Sequence, residues 1–165
     1  MKTDVPFDGI DFGELPGEIN DLLQAGVLAY RTDGEAADAL FREALKLDPQ
    51  ALPTYFSLYK IHTYRGRLDD ARAIAESGLA EAARQAGWSA DWRLWPSPPC
   101  EAGQTATQAD AGRFALYTLK ALAFIALRDD RTEDAGGMLA ALRKLDPQGE
   151  VGWSVVAELA EGCAA

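Results

Sequence analysis

Imidazole and thiol are nearly absent from this chain: 165 residues carry one histidine, His62, and two cysteines, Cys100 and Cys163. That is too few to assemble a zinc or iron site with ordinary ligand spacing, so neither a metal nor another cofactor is expected. Basic charge is scarce too. Sixteen lysines and arginines stand against 26 acids, and a formal net charge of -10 repels phosphate backbones and anionic bilayers. Nucleic acid and membrane are therefore not expected as partners. Met1 to Asp11 carries Asp4, Asp8 and Asp11 instead of an apolar leader, and no apolar run approaches the length of a membrane span. A soluble, cytoplasmic protein follows as the expectation. Nucleophile motifs, phosphate-cradling glycine loops and dinucleotide fingerprints are missing as well. The acid pairs Asp69-Asp70 and Asp129-Asp130 fall where helix starts favour them. No enzyme is expected, and His62 reads as a packing residue of a core or groove.

What the sequence does hold is an echo of itself at a spacing of 34 residues. Sliding residues 18–51 onto 52–85 brings Val27 onto Ile61, Tyr30 onto Tyr64, Ala37 onto Ala71, Leu40 onto Ile74 and Leu45 onto Leu79. Strand-forming runs are absent, and each 34-residue copy divides into two helix-length halves. The run Lys46-Leu47-Asp48-Pro49-Gln50 recurs unchanged as Lys144-Leu145-Asp146-Pro147-Gln148, which sets a third copy at 116–149. Ala71 to Ala135 spans 64 residues, one period plus 30, so an insertion occupies 86–115. Trp153 stands where Tyr55 stands and opens a lone capping helix within 150–165, while 1–17 is an N-terminal extension. A single all-α domain is the reading.

Helix-start chemistry gives a second check on the register. Thr32 with Glu35, Gly66 with Asp69, and Asp130 with Glu133 each place a capping or turning residue three positions before an acid. Pro49 and Pro147 disfavour helix in the residue before them. In the first copy, Ala25 fits the small-residue slot of the leading helix without a gap, whereas Gly26 fits it only after a deletion. Ala25 is taken for that slot.

Tyr55, Leu58, Gly66, Ala71 and Leu79 in the second copy, with Ala37, Phe41, Ala44 and Leu47-Asp48-Pro49 in the first, resemble the tetratricopeptide repeat (TPR) pattern. The resemblance implies a superhelical stack of helical hairpins whose leading helices line a concave face. Carried onto this chain, that face holds Ile19, Leu22, Tyr30, Phe56, Lys60, Thr63, Tyr64, Tyr117, Lys120, Phe124 and Arg128. It implies an adaptor or chaperone that grips a segment of another protein. The chaperone-binding members clamp an acidic C-terminus with Lys and Asn. Leu22 and Gly26 stand in those slots here, so a different ligand is implied, one with apolar anchors and some acidic character. The run from Leu52 to Ala71 is also similar to small TPR proteins encoded beside bacterial nitrogen-fixation genes, which implies an accessory role in nitrogenase maturation or protection. Size, acidity and repeat count resemble the TPR chaperones of type III secretion, which lack an insertion like this one.

That insertion gathers Trp88, Trp92 and Trp95 within eight residues. If the preceding helix runs on past Gln85, spacings of four and three set all three indoles on one face, ended by Pro96, Pro98 and Pro99. At least two are expected to pack on the repeat body, with Trp92 and Trp95 shaping one wall of the groove. Glu101 to Asp110, polar and poor in apolar residues, reads as a loop. A rival reading has the terminal helix pair with a second copy through Trp153, Val156 and Leu159, giving a homodimer.

Overall fold

The computed structural model describes residues 9–96 and 105–164. Among them are seven α-helices and no strand: α1 (Gly17–Tyr30), α2 (Gly34–Leu47), α3 (Leu52–Tyr64), α4 (Leu68–Ala86), α5 (Ala106–Arg128), α6 (Thr132–Leu145) and α7 (Trp153–Ala164). Consecutive helices pack against one another along the whole order, and leading helices also meet, α3 on α5 and α5 on α7. None is long and apolar enough to cross a membrane.

Alanine sets the spacing of the pairs. Ala37, Ala71 and Ala135, the equivalent positions of the three copies, are each 0% exposed, so neighbouring helices meet there with only a methyl group between them. In the first pair the close approach is tighter still. Phe41 stands where the second copy has Ala75, and a Cβ at Gly26 would lie 2.3 Å from the Phe41 ring. Gly26 is buried and Ala25 exposed, which overturns the assignment of Ala25 to the small-residue slot. Phenylalanine on one helix requires glycine on the other.

The turns correct the N-cap of α2 and bear out Gly66 as a turning residue at positive φ. The N-cap of α2 is Asp33, not Thr32: its carboxylate accepts from the Glu35 and Ala36 amides. Gly66 and Asp130 cap nothing with a side chain, since α4 and α6 are preceded by Arg67 and Arg131. They share a backbone state instead, with φ of 72° and 57°. In both turns the next amide reaches back five residues, Arg67 to the His62 carbonyl and Arg131 to Ala126. Both copies of the Leu-Asp-Pro-Gln run bind the following turn through the aspartate, with different amides. Asp48 accepts from the Gln50 amide, and Asp146 from the Glu150 and Val151 amides. Tyr55 Oη donates to the Pro49 carbonyl, and Trp153 Nε1 donates to the Asp146 carbonyl at 2.7 Å.

The core divides in two. Ile19, Leu23, Ala37, Phe41, Ala44, Leu58 and Ile61 form one cluster between α1, α2 and α3. The larger runs from Leu52, Tyr55 and Tyr59 through α4, α5 and α6 to Val156 and Ala157 of α7. Helix α3 contributes to both, which is why Leu58, Tyr59, Ile61 and His62 are all buried.

The insertion lengthens the helices on either side of it. Helices α4 and α5 have 19 and 23 residues against 13 or 14 for α1, α2, α3 and α6. Helix α4 does not run on through the tryptophans. Gly87, at φ 77°, ends it in a left-handed cap, so the three indoles do not share a helical face. Trp88 follows the cap, and Trp92 opens a short 3-10 turn ending at Leu94. The indoles pack nonetheless. Trp95 is 6% exposed and donates from Nε1 to the Ser89 carbonyl, and its ring lies 5.2 Å from that of Trp88. Trp88 sits against Gly112 of α5, where a Cβ would come within 2.8 Å of the ring, and Trp92 is partly buried on the same core. The loop expectation for 101–110 fails at its far end. Thr105 and Gln108 form a reciprocal capping box, and α5 begins at Ala106. Residues 97–104, which include Cys100 and the rest of the expected loop, lie outside the described residues.

Candidate functional site

Of the residues singled out by their sequence position, those on α3 and α5 come together. Phe56, Lys60 and Tyr64 follow one another at intervals of four on α3, and a four-residue step is one helical turn. Tyr117, Lys120, Phe124 and Arg128 make a matching stripe on α5. The stripes meet at Phe56 and Tyr117, with ring centroids 5.7 Å apart. Beneath them, Tyr59 packs edge-on to Phe56 at 5.6 Å, and its hydroxyl meets Thr118 Oγ1 at 3.5 Å. Burial drives the Tyr59 phenol well above its ordinary range, so it stays neutral. Tyr59 and Thr118 were not legible as part of the site. Their link between helices appears only once α3 and α5 are side by side.

Every cation of the array rests on a ring. Lys60 Nζ lies 5.2 Å from the centroid of Phe56 and 5.8 Å from that of Tyr64; Lys120 Nζ is 4.0 Å from Tyr117; the Arg128 guanidinium is 5.9 Å from Phe124. Tyr64 is 68% exposed. Lys120 is partly buried, and loss of hydration lowers its pKa below the ordinary lysine value.

The remaining sequence-derived residues lie elsewhere. Tyr30, at the end of α1, packs on the smaller core and makes no ring or cation contact with the array. Ile19 is 3% exposed and belongs to that core, not to a binding face. Thr63 is buried, with its hydroxyl donating to the Tyr59 carbonyl. Trp92 and Trp95 stand beside α6, where they line a hollow with Gly137, Ala140 and Ala141. Trp95 is too buried to offer its ring to a partner. Arg93, stacked 4.5 Å over Trp92, is the exposed side chain there.

His62 is 1% exposed and 2.9 Å from Asp38 Oδ1, which also pairs with Arg42 at 3.1 Å. Its Nδ1 is buried without a partner. Its geometry is that of a packed side chain joining α3 to α2. Glu35 joins the same elements at the surface. Arg65 (2.6 Å) and Arg67 both donate to its carboxylate and hold it below the ordinary glutamate range. No group of three His, Cys, Asp or Glu side chains converges as a metal site among the described residues.

Set against protein-family models, curated proteins and solved structures, the chain matches none.

Proposed function

We propose that the chain is a TPR-type adaptor or chaperone that holds a segment of another protein across α3 and α5. The 34-residue period, the consecutive packing of helix pairs and the contacts between leading helices support that architecture. One observation carries the function: two helices sixty residues apart in sequence present a continuous array of rings and cations, ending in the exposed ring of Tyr64. Large exposed aromatics beside unpaired cations mark binding faces rather than ordinary solvated surface. Affinity capture with the intact protein, read by mass spectrometry, tests the assignment. Lys60→Ala combined with Tyr64→Ala should abolish the specific capture while circular dichroism stays unchanged. Capture that survives the double substitution would move the site away from α3 and α5.

A second reading, self-assembly through α7, is favoured by Val155 and Leu159, which are 62% and 47% exposed. Val156 cannot take part, because it is buried against the chain's own core, and Trp153 is tied to Asp146. A second copy would meet Val155 and Leu159. Light scattering at rising concentration should then show a dimer that Leu159→Ser dissolves.

A further inference from the structure

Cations of the described residues differ in what neutralises them; away from the array, Arg143 also lies over a ring, 5.1 Å from the centroid of Trp153. Arg42, Arg65, Arg67, Arg72, Arg84 and Arg131, on the second helices and the turns, all pair with carboxylates. Lys60, Lys120 and Arg128 have rings under them, and among the described residues no carboxylate lies within ion-pairing distance of any of the three. A ring's quadrupole attracts a cation without cancelling its charge, so these groups keep an open demand for an anion.

The segregation is marked because the chain is so acidic. Twenty-six acids are available, yet α3 contains none, and α5 contains only Asp110, at its far end from Arg128. Lys60 and Lys120 flank one touching pair of rings, Phe56 and Tyr117. Lys120 is also partly desolvated, a state that a bound carboxylate would relieve.

Resting on the groove reading above, we propose that this array selects a partner segment in which two carboxylates bracket an apolar or aromatic anchor. The anchor lies against Phe56 and Tyr117, one carboxylate reaches Lys60 and the other reaches Lys120. A short peptide suits the site better than a polyphosphate chain. The overall negative charge repels an extended polyanion along its length, whereas screening confines that repulsion to about 8 Å and leaves a short segment to the local cations.

Fluorescence anisotropy tests the proposal with a labelled nonapeptide that has a central phenylalanine and an aspartate two positions to either side, in a glycine–serine background. In an extended chain this sets the two carboxylate-bearing residues about 13 Å apart. The intact protein should bind it, and raising salt from about 0.05 M to about 0.5 M should weaken binding. Replacing either aspartate by asparagine, or making Lys60→Gln or Lys120→Gln in the protein, should each cost about tenfold in affinity. Lys60→Arg should restore binding lost in Lys60→Gln, and helicity should stay constant throughout. Equal affinity for aspartate and asparagine probes overturns the proposal; if Phe56→Ala abolishes both, the groove itself still stands. Absence of binding, or lysine variants that bind like the parent, also overturns it. So does a homodimer of the free protein that Lys60→Gln dissociates, because a second copy would then occupy the face.

Discussion

At the scale of single residues, two contacts have consequences that can be measured. Gly26 faces the Phe41 ring with no room for a methyl group. Gly26→Ala should therefore overpack the first helix pair and cost about 1–3 kcal/mol, read as a lower urea midpoint. Phe41→Leu in the same chain should recover part of that loss. The second contact is with the backbone alone. Gly66 and Asp130 hold the same left-handed state in equivalent turns, and nothing lies within 4 Å of a Cβ at Gly66. Strain is then the whole cost of Gly66→Ala, about 1 kcal/mol. Asp130→Gly should move stability by less, about 0.5 kcal/mol, because aspartate tolerates this conformation better than most residues and glycine adds freedom to the unfolded chain. A Gly66→Ala variant with an unchanged urea midpoint would show that the left-handed turn carries no such strain.

At the scale of elements, the punctuation that the sequence announces is where its reading was most reliable. Pro49 and Pro147 mark the turns after α2 and α6, and the 34-residue offset carries α1 onto α3 and α2 onto α4. The insertion departs from its sequence pattern for an identifiable reason. Indole spacings of four and three mimic helical periodicity, while Gly87, one residue before Trp88, is the stronger signal because it ends α4 in a left-handed cap. Thr105 and Gln108 likewise spell a capping box that polar composition hid. The α3 stripe of the site was legible from helical spacing, and so was that of α5. Their junction at Phe56 and Tyr117 was not, since it depends on how two distant helices pair. Because Trp95 is the most enclosed indole of the insertion, Trp95→Ala should cost about 3–5 kcal/mol, measured by chemical denaturation. A loss below about 1 kcal/mol would mean that the lengthened ends of α4 and α5 hold together without it.

At the scale of the whole molecule, unequal cores imply unequal resistance to opening. The cluster between α1, α2 and α3 gathers eight buried side chains, whereas the other extends from α3 to α7 and includes Trp95. Repeat stacks share stability mainly between neighbours, so the smaller end should open first. Native-state hydrogen exchange should find the amides of α1 and α2 exchanging through a partial opening, while the middles of α4 and α5 exchange only with global unfolding. Identical protection across α1 to α6 would make the chain one cooperative unit. Helix α3 decides how far such an opening spreads, because Leu58 and Ile61 lie in one cluster and Leu52, Tyr55 and Tyr59 in the other. Its outward stripe is also half of the candidate site. A ligand seated on Phe56, Lys60 and Tyr64 would thus clamp a helix that, with Leu45 of α2 and Ile74 of α4, splices the two halves. Occupancy would be felt as slower fraying at α1, far from any atom the ligand touches.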